Sequence, residues 1–159
     1  MDITFKTPEG NFNDRVCAVI IHDGRLLAMH DGRAPYFYLP GGRVRLHEAS
    51  ADALRRELRE ELGIEARIIR PLWLDESFFT EDVTGECFHE LCLYYLVDPA
   101  DLGARGDIFQ QADASNGRVN TFEWLAFERV RMEYLYPDFI KREIDRLPES
   151  LALITHRNK

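Results

Sequence analysis

Three glutamates, Glu57, Glu60 and Glu61, carry the clearest chemical signal in the sequence. Their spacing of i, i+3 and i+4 places all three carboxylates on one face of a helix with roughly 3.6 residues per turn. Like charges this close disfavour the ionised carboxylates, and a divalent cation relieves that cost. Because hard cations such as Mg²⁺ prefer oxygen ligands, the spacing predicts a metal site.

The flanking residues predict how the carboxylates are held. An apolar stripe beside the acidic face is formed by Leu54, Leu58 and Leu62, so the helix can bury one side and keep its carboxylates at the edge of the core. Gly41 and Gly42 precede the helix and allow backbone to come close to a ligand. Gly63 suits the left-handed position just past a helix end. The segment is predicted as a strand, a glycine-rich loop, an acidic helix and a glycine stop.

Residues 42–64 resemble the complete Nudix box. Gly42, Glu48 and the run 56–64, which reads RELREELGI, fill every specified position of that signature. The resemblance implies an α/β fold, the Nudix-type α/β/α sandwich with a mixed β-sheet. With no repeat or linker in the chain, we expect a single Nudix hydrolase domain over residues 1–159.

The resemblance also implies a role for each box residue. It makes Glu57, Glu60, Glu61 and the carbonyl of Gly41 the ligands of Mg²⁺, with Mn²⁺ as an alternative ion. Arg56 joins the three glutamates as a catalytic residue, and it is expected to brace the site together with the position of Glu48. The general base stays open between Glu57 and one of five later glutamates, namely Glu76, Glu81, Glu86, Glu90 and Glu123.

The implied activity is a Mg²⁺-dependent pyrophosphohydrolase, or diphosphatase, that cleaves a nucleoside diphosphate linked to another group. Outside the box, the sequence lacks the marks of the ADP-ribose, coenzyme A and NADH types, which leaves a nucleoside triphosphate as the default substrate. The alternative is a catalytically silent Nudix module that binds nucleotides or regulates. Because all the box glutamates are retained, the sequence favours the enzyme.

Aromatic residues outside the box are candidates to stack on a base. Tyr36 and Phe79 are predicted to bind substrate, with Trp73 and Phe78 as further stacking candidates. Glu90 is predicted to contact substrate as well. Each of these aromatic side chains has the alternative of packing in the core.

Composition limits the partners. The 159 residues are 45% hydrophobic and 30% charged, which is typical of a globular chain. The net charge of −8 argues against nucleic acid backbones and anionic membranes. Cys17, Cys87 and Cys92 lack the spacing of zinc ligands and are predicted to be reduced thiols. We therefore expect a cytoplasmic protein with a small nucleotide-type substrate, and a homodimer stays open.

Hydrophobic patterns predict the remaining elements. Strands are predicted at 2–7, 16–21, 26–29, 36–39, 65–74, 88–97 and 121–127, with a tight turn at Asp23-Gly24. Pro71 is expected at an edge or bulge. An acidic loop is predicted at 75–86, a flexible lid or partly helical segment at 98–120, and a last helix with Pro137 at its first position.

Overall fold

The computed structural model describes residues 1–157, and within them nine strands form one mixed sheet. The strands are β1 (Thr4–Thr7), β2 (Gly10–His22), β3 (Arg25–His30), β4 (Gly41–Arg43), β5 (Ile68–Thr80), β6 (Cys87–Val97), β7 (Ile108–Ala112), β8 (Val119–Ala126) and β9 (Ala152–Arg157). Their order across the sheet is β7-β8-β3-β2-β6-β5-β9, and β1 and β4 also pair with β2. The β2–β6 and β5–β9 pairs are parallel and the other pairs antiparallel, so the predicted mixed sheet is confirmed.

Helices cover both faces of the sheet. They are α1 (Ser50–Leu62), a 3-10 helix (Leu102–Arg105), α2 (Phe127–Val130) and α3 (Ile140–Glu143). Strand β2 alternates between the two apolar layers: Val16, Ala18 and Ile20 pack in the same layer as the leucines of α1. Cys17 and Val19 point to the other layer, which includes residues of α2 and α3. This arrangement is the α/β/α sandwich that the sequence predicts.

The elements around the acidic helix form where they were predicted. Helix α1 buries Leu54, Leu58 and Leu62 completely. It ends at Gly63, which has φ 67° in the left-handed region and donates its N–H to the Arg59 carbonyl. The Asp23-Gly24 turn joins β2 to β3 with positive φ at both residues, as its hairpin signal requires.

Several predicted boundaries are wrong. The segment 75–86 is not all loop, because β5 continues to Thr80. Segment 36–39 makes isolated bridges in place of a strand, and the last helix begins at Ile140 rather than at Pro137. For segment 98–120 the partly helical alternative is confirmed by the 3-10 helix, and the segment also contains the unpredicted hairpin strand β7. The register of β5 shifts between Pro71 and Trp73, which confirms the expected bulge.

Along residues 1–157 there is no helix that is both long and apolar enough to span a membrane.

Candidate active site

Helix α1 presents its carboxylates at the border between the core and solvent. Glu61 is only 4% exposed, because its neighbours Leu58 and Leu62 are buried. Its Oε1 accepts a hydrogen bond of 3.2 Å from the backbone N–H of Gly41. Its Oε2 is buried and has no partner among the described residues. A buried carboxylate oxygen without a partner is costly, so this atom is suited to a cation ligand.

Burial shapes the acidity of the cluster. Burial, and after it the neighbouring Glu57 carboxylate, raise the pKa of Glu61 well above its ordinary value. Burial also raises the pKa of Glu57, although a hydrogen bond from Arg56 opposes that rise. Both directions show that negative charge is disfavoured here without a compensating cation. A divalent ion would restore the ionised carboxylates.

The glycine loop lies directly against the carboxylates. A Cβ atom on Gly42 would lie 2.4 Å from Cδ of Glu57. A Cβ atom on Gly41 would lie 2.1 Å from the carbonyl oxygen of Val16. Side chains at these two positions would therefore separate the loop from α1 and from β2. The glycines keep the backbone of the loop within reach of the cluster.

Arg56 holds the acidic residues together. Its Nε and one terminal nitrogen bind both oxygens of Glu48, at 2.8 and 2.9 Å. Its other terminal nitrogen lies 2.8 Å from Oε1 of Glu57 and 3.7 Å from Oε2 of Glu60. A further hydrogen bond of 3.1 Å reaches the carbonyl of Arg43. One guanidinium thus connects the loop, the start of α1 and two of the candidate metal ligands.

The residues present fit a divalent cation chemically. Across residues 1–157 no three Asp, Glu, His or Cys side chains converge closely enough to hold a metal ion as they stand. Here the Arg56 guanidinium lies between Glu57 and Glu60 and compensates part of their charge. The unpaired Glu61 oxygen, the close approach of Gly42 to the Glu57 carboxylate and an all-oxygen donor set nevertheless match what Mg²⁺ requires. To hold such an ion, the Glu57 and Glu60 carboxylates would have to exchange their contacts with Arg56 for contacts with the ion.

A cavity of about 620 Å³ adjoins the cluster. Aromatic residues make much of its wall, namely Tyr36, Tyr38, Phe79, Phe88, Tyr94 and Tyr136. Leu39 and Arg43 also line it, and Gly41 and Gly42 between them contact the carboxylates. The volume and a wall that combines aromatic and polar side chains suit a small organic ligand, with the acidic cluster at one side.

The family model of the NUDIX domain matches residues 12–146. The chain belongs to the NUDIX domain family. The fold and the hydrolase class that the sequence predicts are therefore confirmed, and α1 is its Nudix helix. No curated protein matches the sequence significantly.

Solved structures with the Nudix fold resemble the chain over most of its length. The solution structure of the E. coli ORF135 protein is 25% identical, covers 81% of this chain and 84% of its own, and has a TM-score of 0.54. A MutT NUDIX hydrolase from Burkholderia pseudomallei is 26% identical, with 74% and 85% coverage and a TM-score of 0.51. A MutT protein from Bacillus halodurans is 14% identical, with 92% and 90% coverage and a TM-score of 0.61, and shows the fold alone.

The structure brings together the residues predicted to bind substrate. Tyr36, Phe79 and Glu90 all line the cavity beside the Nudix helix. The stacking alternative does not hold for Trp73, which is buried against Tyr94 and Phe139 in the core.

Two of the five later glutamates line the cavity, Glu81 and Glu90. Glu81 is committed to a turn, because it accepts hydrogen bonds from the N–H groups of Val83 and Thr84. Glu90 accepts one of 3.2 Å from Asn13. The other three lie in other polar pairs, Glu76 with Thr155, Glu86 with Lys6 and Glu123 with Arg129. Among the six candidates for the general base, Glu57 lies against the glycine loop and Glu90 lines the cavity.

Sequence reasoning missed polar cavity residues that lie on strands. They are Asn13 and Arg15 on β2, Asp75 and Ser77 on β5, and His156 on β9. Their signal is alternation: Asn13, Arg15 and Cys17 point to one face, as do Asp75, Ser77 and Phe79. The alternation with a period of two is present in β5, but the polar residues Asp75 and Ser77 led to the prediction of a loop there.

Proposed function

We propose that this Nudix protein is a Mg²⁺-dependent pyrophosphohydrolase that cleaves a nucleoside diphosphate linked to another group, with a nucleoside triphosphate as the preferred substrate. The observation that carries the proposal is the continuity of the acidic Nudix helix with the aromatic cavity through residues 39–43. This continuity offers an acidic, metal-binding position for a diphosphate next to a cavity whose aromatic side chains can contact a base.

The residues take distinct roles. Glu57, Glu60, Glu61 and the carbonyl of Gly41 are the proposed holders of Mg²⁺. The ion would neutralise phosphate oxygens and acidify an attacking water. Arg56 positions Glu57 and Glu60 through its contacts and is itself anchored by Glu48. Tyr36 and Phe79 are the proposed aromatic contacts of the base.

The proton of the attacking water goes to Glu57 or Glu90. Glu57 lies on the Nudix helix next to Gly42. Glu90 lies in the cavity, 4.0 Å from Nε of Arg15. Comparing Glu57→Gln with Glu90→Gln separates the two, because loss of the base removes one limb of the pH–rate profile while loss of a binding contact mainly raises KM.

The decisive experiment is a hydrolysis screen over nucleoside triphosphates, nucleotide sugars and dinucleotides with Mg²⁺ and Mn²⁺. We expect a nucleoside monophosphate with pyrophosphate, or with a phosphorylated group, and loss of turnover in excess EDTA. Glu60→Gln serves as the inactive control. Turnover that persists in EDTA, or a preference for simple phosphomonoesters, contradicts the proposal. Nucleotide binding without any turnover supports the silent module instead.

A further inference from the structure

One wall of the cavity is formed by polar side chains from four neighbouring strands, β2, β6, β5 and β9. One row of register partners runs through Asn13, Glu90, Ser77 and His156, from β2 to β9. The next row contains Asp75, between Cys92 of β6 and Ile154 of β9. Partners in register lie side by side on one face of a sheet, so these polar groups are neighbours by construction.

Part of this array is satisfied internally. Asn13 donates a hydrogen bond of 3.2 Å to Oε2 of Glu90, and Arg15 lies 4.0 Å from Oε1 of Glu90. These three side chains form a charge-balanced group on the β2 side of this wall. The unused hydrogen-bonding capacity therefore lies on the β5 and β9 side.

Asp75 and His156 hold that capacity, since Oδ1 of Asp75 and Nε2 of His156 are both buried without a hydrogen-bond partner among residues 1–157. Asp75 is 2% exposed, and its Oδ2 accepts a hydrogen bond of 2.7 Å from Ser77. Its Oδ1 has no hydrogen-bond partner within residues 1–157, and Nδ1 of His156 is 3.7 Å away, too far for a hydrogen bond. Buried polar atoms of this kind are rare in folded proteins because leaving them unpaired is costly. Oδ1 of Asp75 thus has an ion-pair neighbour in His156 but no hydrogen bond, and such an acceptor in the wall of a ligand-sized cavity is suited to a donor on the ligand.

Ser77 and His156 hold the Asp75 carboxylate in its orientation. The Ser77 hydroxyl lies between Oδ2 of Asp75 and Nδ1 of His156, with 3.1 Å to the latter. His156 is on β9, which pairs in parallel with β5 and lies outside the residues 12–146 that match the NUDIX model. The wall formed by Asp75, Ser77 and His156 is thus built partly from a strand beyond the family match.

The cavity offers a plane for a ring next to this wall. Phe79 and Phe88 stack on each other at 5.3 Å and line the cavity on the strands that carry Ser77 and Glu90. An aromatic surface beside a buried acceptor held in place is suited to bind a flat heterocycle and to discriminate the groups on its edge.

We propose that Asp75 determines base specificity by accepting a hydrogen bond from an exocyclic amino group of the nucleobase. Ser77 and His156 act as positioning residues that hold the carboxylate in place. The inference rests on the proposed function for the nature of the substrate. It selects bases with an amino group, as in CTP and ATP, over the oxo counterparts UTP and ITP, whose carbonyl oxygen would face the Asp75 carboxylate.

The test compares matched pairs, CTP with UTP and ATP with ITP. For the parent protein we expect kcat/KM to favour the amino member of at least one pair by about tenfold or more, because one hydrogen bond to a charged acceptor sets the difference. Asp75→Asn should bring that ratio close to one, since an amide can offer either a donor or an acceptor. The matched control is Glu76→Gln, the same chemical change one residue away, which should keep the parent ratio because Glu76 bonds Thr155 outside the cavity.

Binding measurements separate this inference from the proposed function. Calorimetric titration with CMP, UMP, AMP and IMP reports the amino preference without turnover. If no triphosphate is hydrolysed but the amino preference persists and disappears in Asp75→Asn, the proposed function fails and the inference stands. Parent ratios within about twofold in both pairs, or an unchanged ratio in Asp75→Asn, overturn the inference. If Asp75→Asn does not fold, Ser77→Ala should lower the ratio in part, and an unchanged ratio there counts against it.

Discussion

Arg56 binds both carboxylate oxygens of Glu48 in a two-pronged contact, with N–O distances of 2.8 and 2.9 Å. Both side chains are largely buried, at 15% and 19% exposed. The hydrogen bonds from Arg56 lower the pKa of Glu48 to about 2. Through the same guanidinium, Glu48 orients Glu57 and Glu60 without lying on the acidic face itself.

Glu48→Gln should therefore destabilise the metal-free protein by about 1.5–3 kcal/mol, the typical contribution of hydrogen bonds to a charged group. Because the folded pKa of Glu48 is depressed, its contribution is present above the unfolded value near 4.5 and is lost as the pH falls toward about 2. Urea unfolding between pH 2.5 and 7 should show this acid-side loss in the parent and not in the variant. Glu65→Gln is the control, since its equally two-pronged pair with Arg59 is solvent-exposed and should contribute little. Equal effects of the two substitutions would contradict a special role for Glu48.

Glu60→Gln should separate catalysis from folding. The substitution removes like-charge repulsion from Glu57 and Glu61, which costs about 0.2–0.5 kcal/mol per helical neighbour. It also removes a 3.7 Å approach to Arg56, so the two effects offset and the metal-free melting temperature should stay near that of the parent. Mg²⁺ should raise the melting temperature of the parent more than that of the variant.

The rate should respond far more strongly than the stability. We expect a fall of at least about a hundredfold in initial rate, comparable to losing one preorganised electrostatic contact. Paired melting curves with and without Mg²⁺, recorded beside the rates, make the comparison. Near-normal rates would show that the acidic face is not the metal site, and a large metal-free loss of stability would show that Glu60 is structural.

Gly42→Ala should displace the Glu57 carboxylate, because the added Cβ would come within 2.4 Å of its Cδ. We expect weaker Mg²⁺ binding and a rate lower by about tenfold or more, while the cooperative unfolding transition is retained. A double-mutant cycle with Glu57→Asp provides the control. In the background of the shorter aspartate, adding Gly42→Ala should cost less than in the parent, since the clash is relieved. If the effects of Gly42→Ala and Glu57→Asp on the rate were additive, Gly42 would not act through the Glu57 carboxylate.

The Asp75–His156 pair should give stability a second, alkaline-side dependence on pH. The Asp75 carboxylate raises the pKa of His156 above 6.5, and burial opposes that rise. A raised folded pKa means that the contribution is fully present below the unfolded value of about 6.5 and is lost as the pH rises through the folded value. Urea midpoints of the metal-free parent should fall over this window, and His156→Gln should remove that fall. If the urea midpoint fell equally with rising pH in the parent and in His156→Gln, the Asp75–His156 pairing would be contradicted.

The sequence predicts the acidic helix well because all its determinants are local. The leucine period predicts the buried face, the glutamate spacing predicts the acidic face and Gly63 predicts the helix end, all within one helix. The contacts of Arg56 are only partly predictable, since its choice between Glu48, Glu57 and Glu60 depends on how the loop before α1 folds back.

The missed parts depend on pairing between distant strands. Strand β9 has a weak apolar pattern of its own, and its stability comes from lying beside β5. Asp75 and Ser77 are polar because they face a cavity, and this cannot be known before the neighbouring strands are placed. The position of His156 next to them follows only from the parallel register of the two strands.

The parallel pairing at the centre of the sheet also determines how the chain must fold. Asn13 meets Glu90 across 77 residues of sequence in the central β2–β6 pair, and Ser77 meets His156 across 79 in the β5–β9 pair at the edge of the sheet. Such long loops have to close before the central contacts form, and proteins dominated by non-local pairs fold in about milliseconds to seconds rather than microseconds. Until β6 pairs with β2, the apolar residues of β2 lack one neighbouring strand, and exposed apolar surface of this kind promotes aggregation.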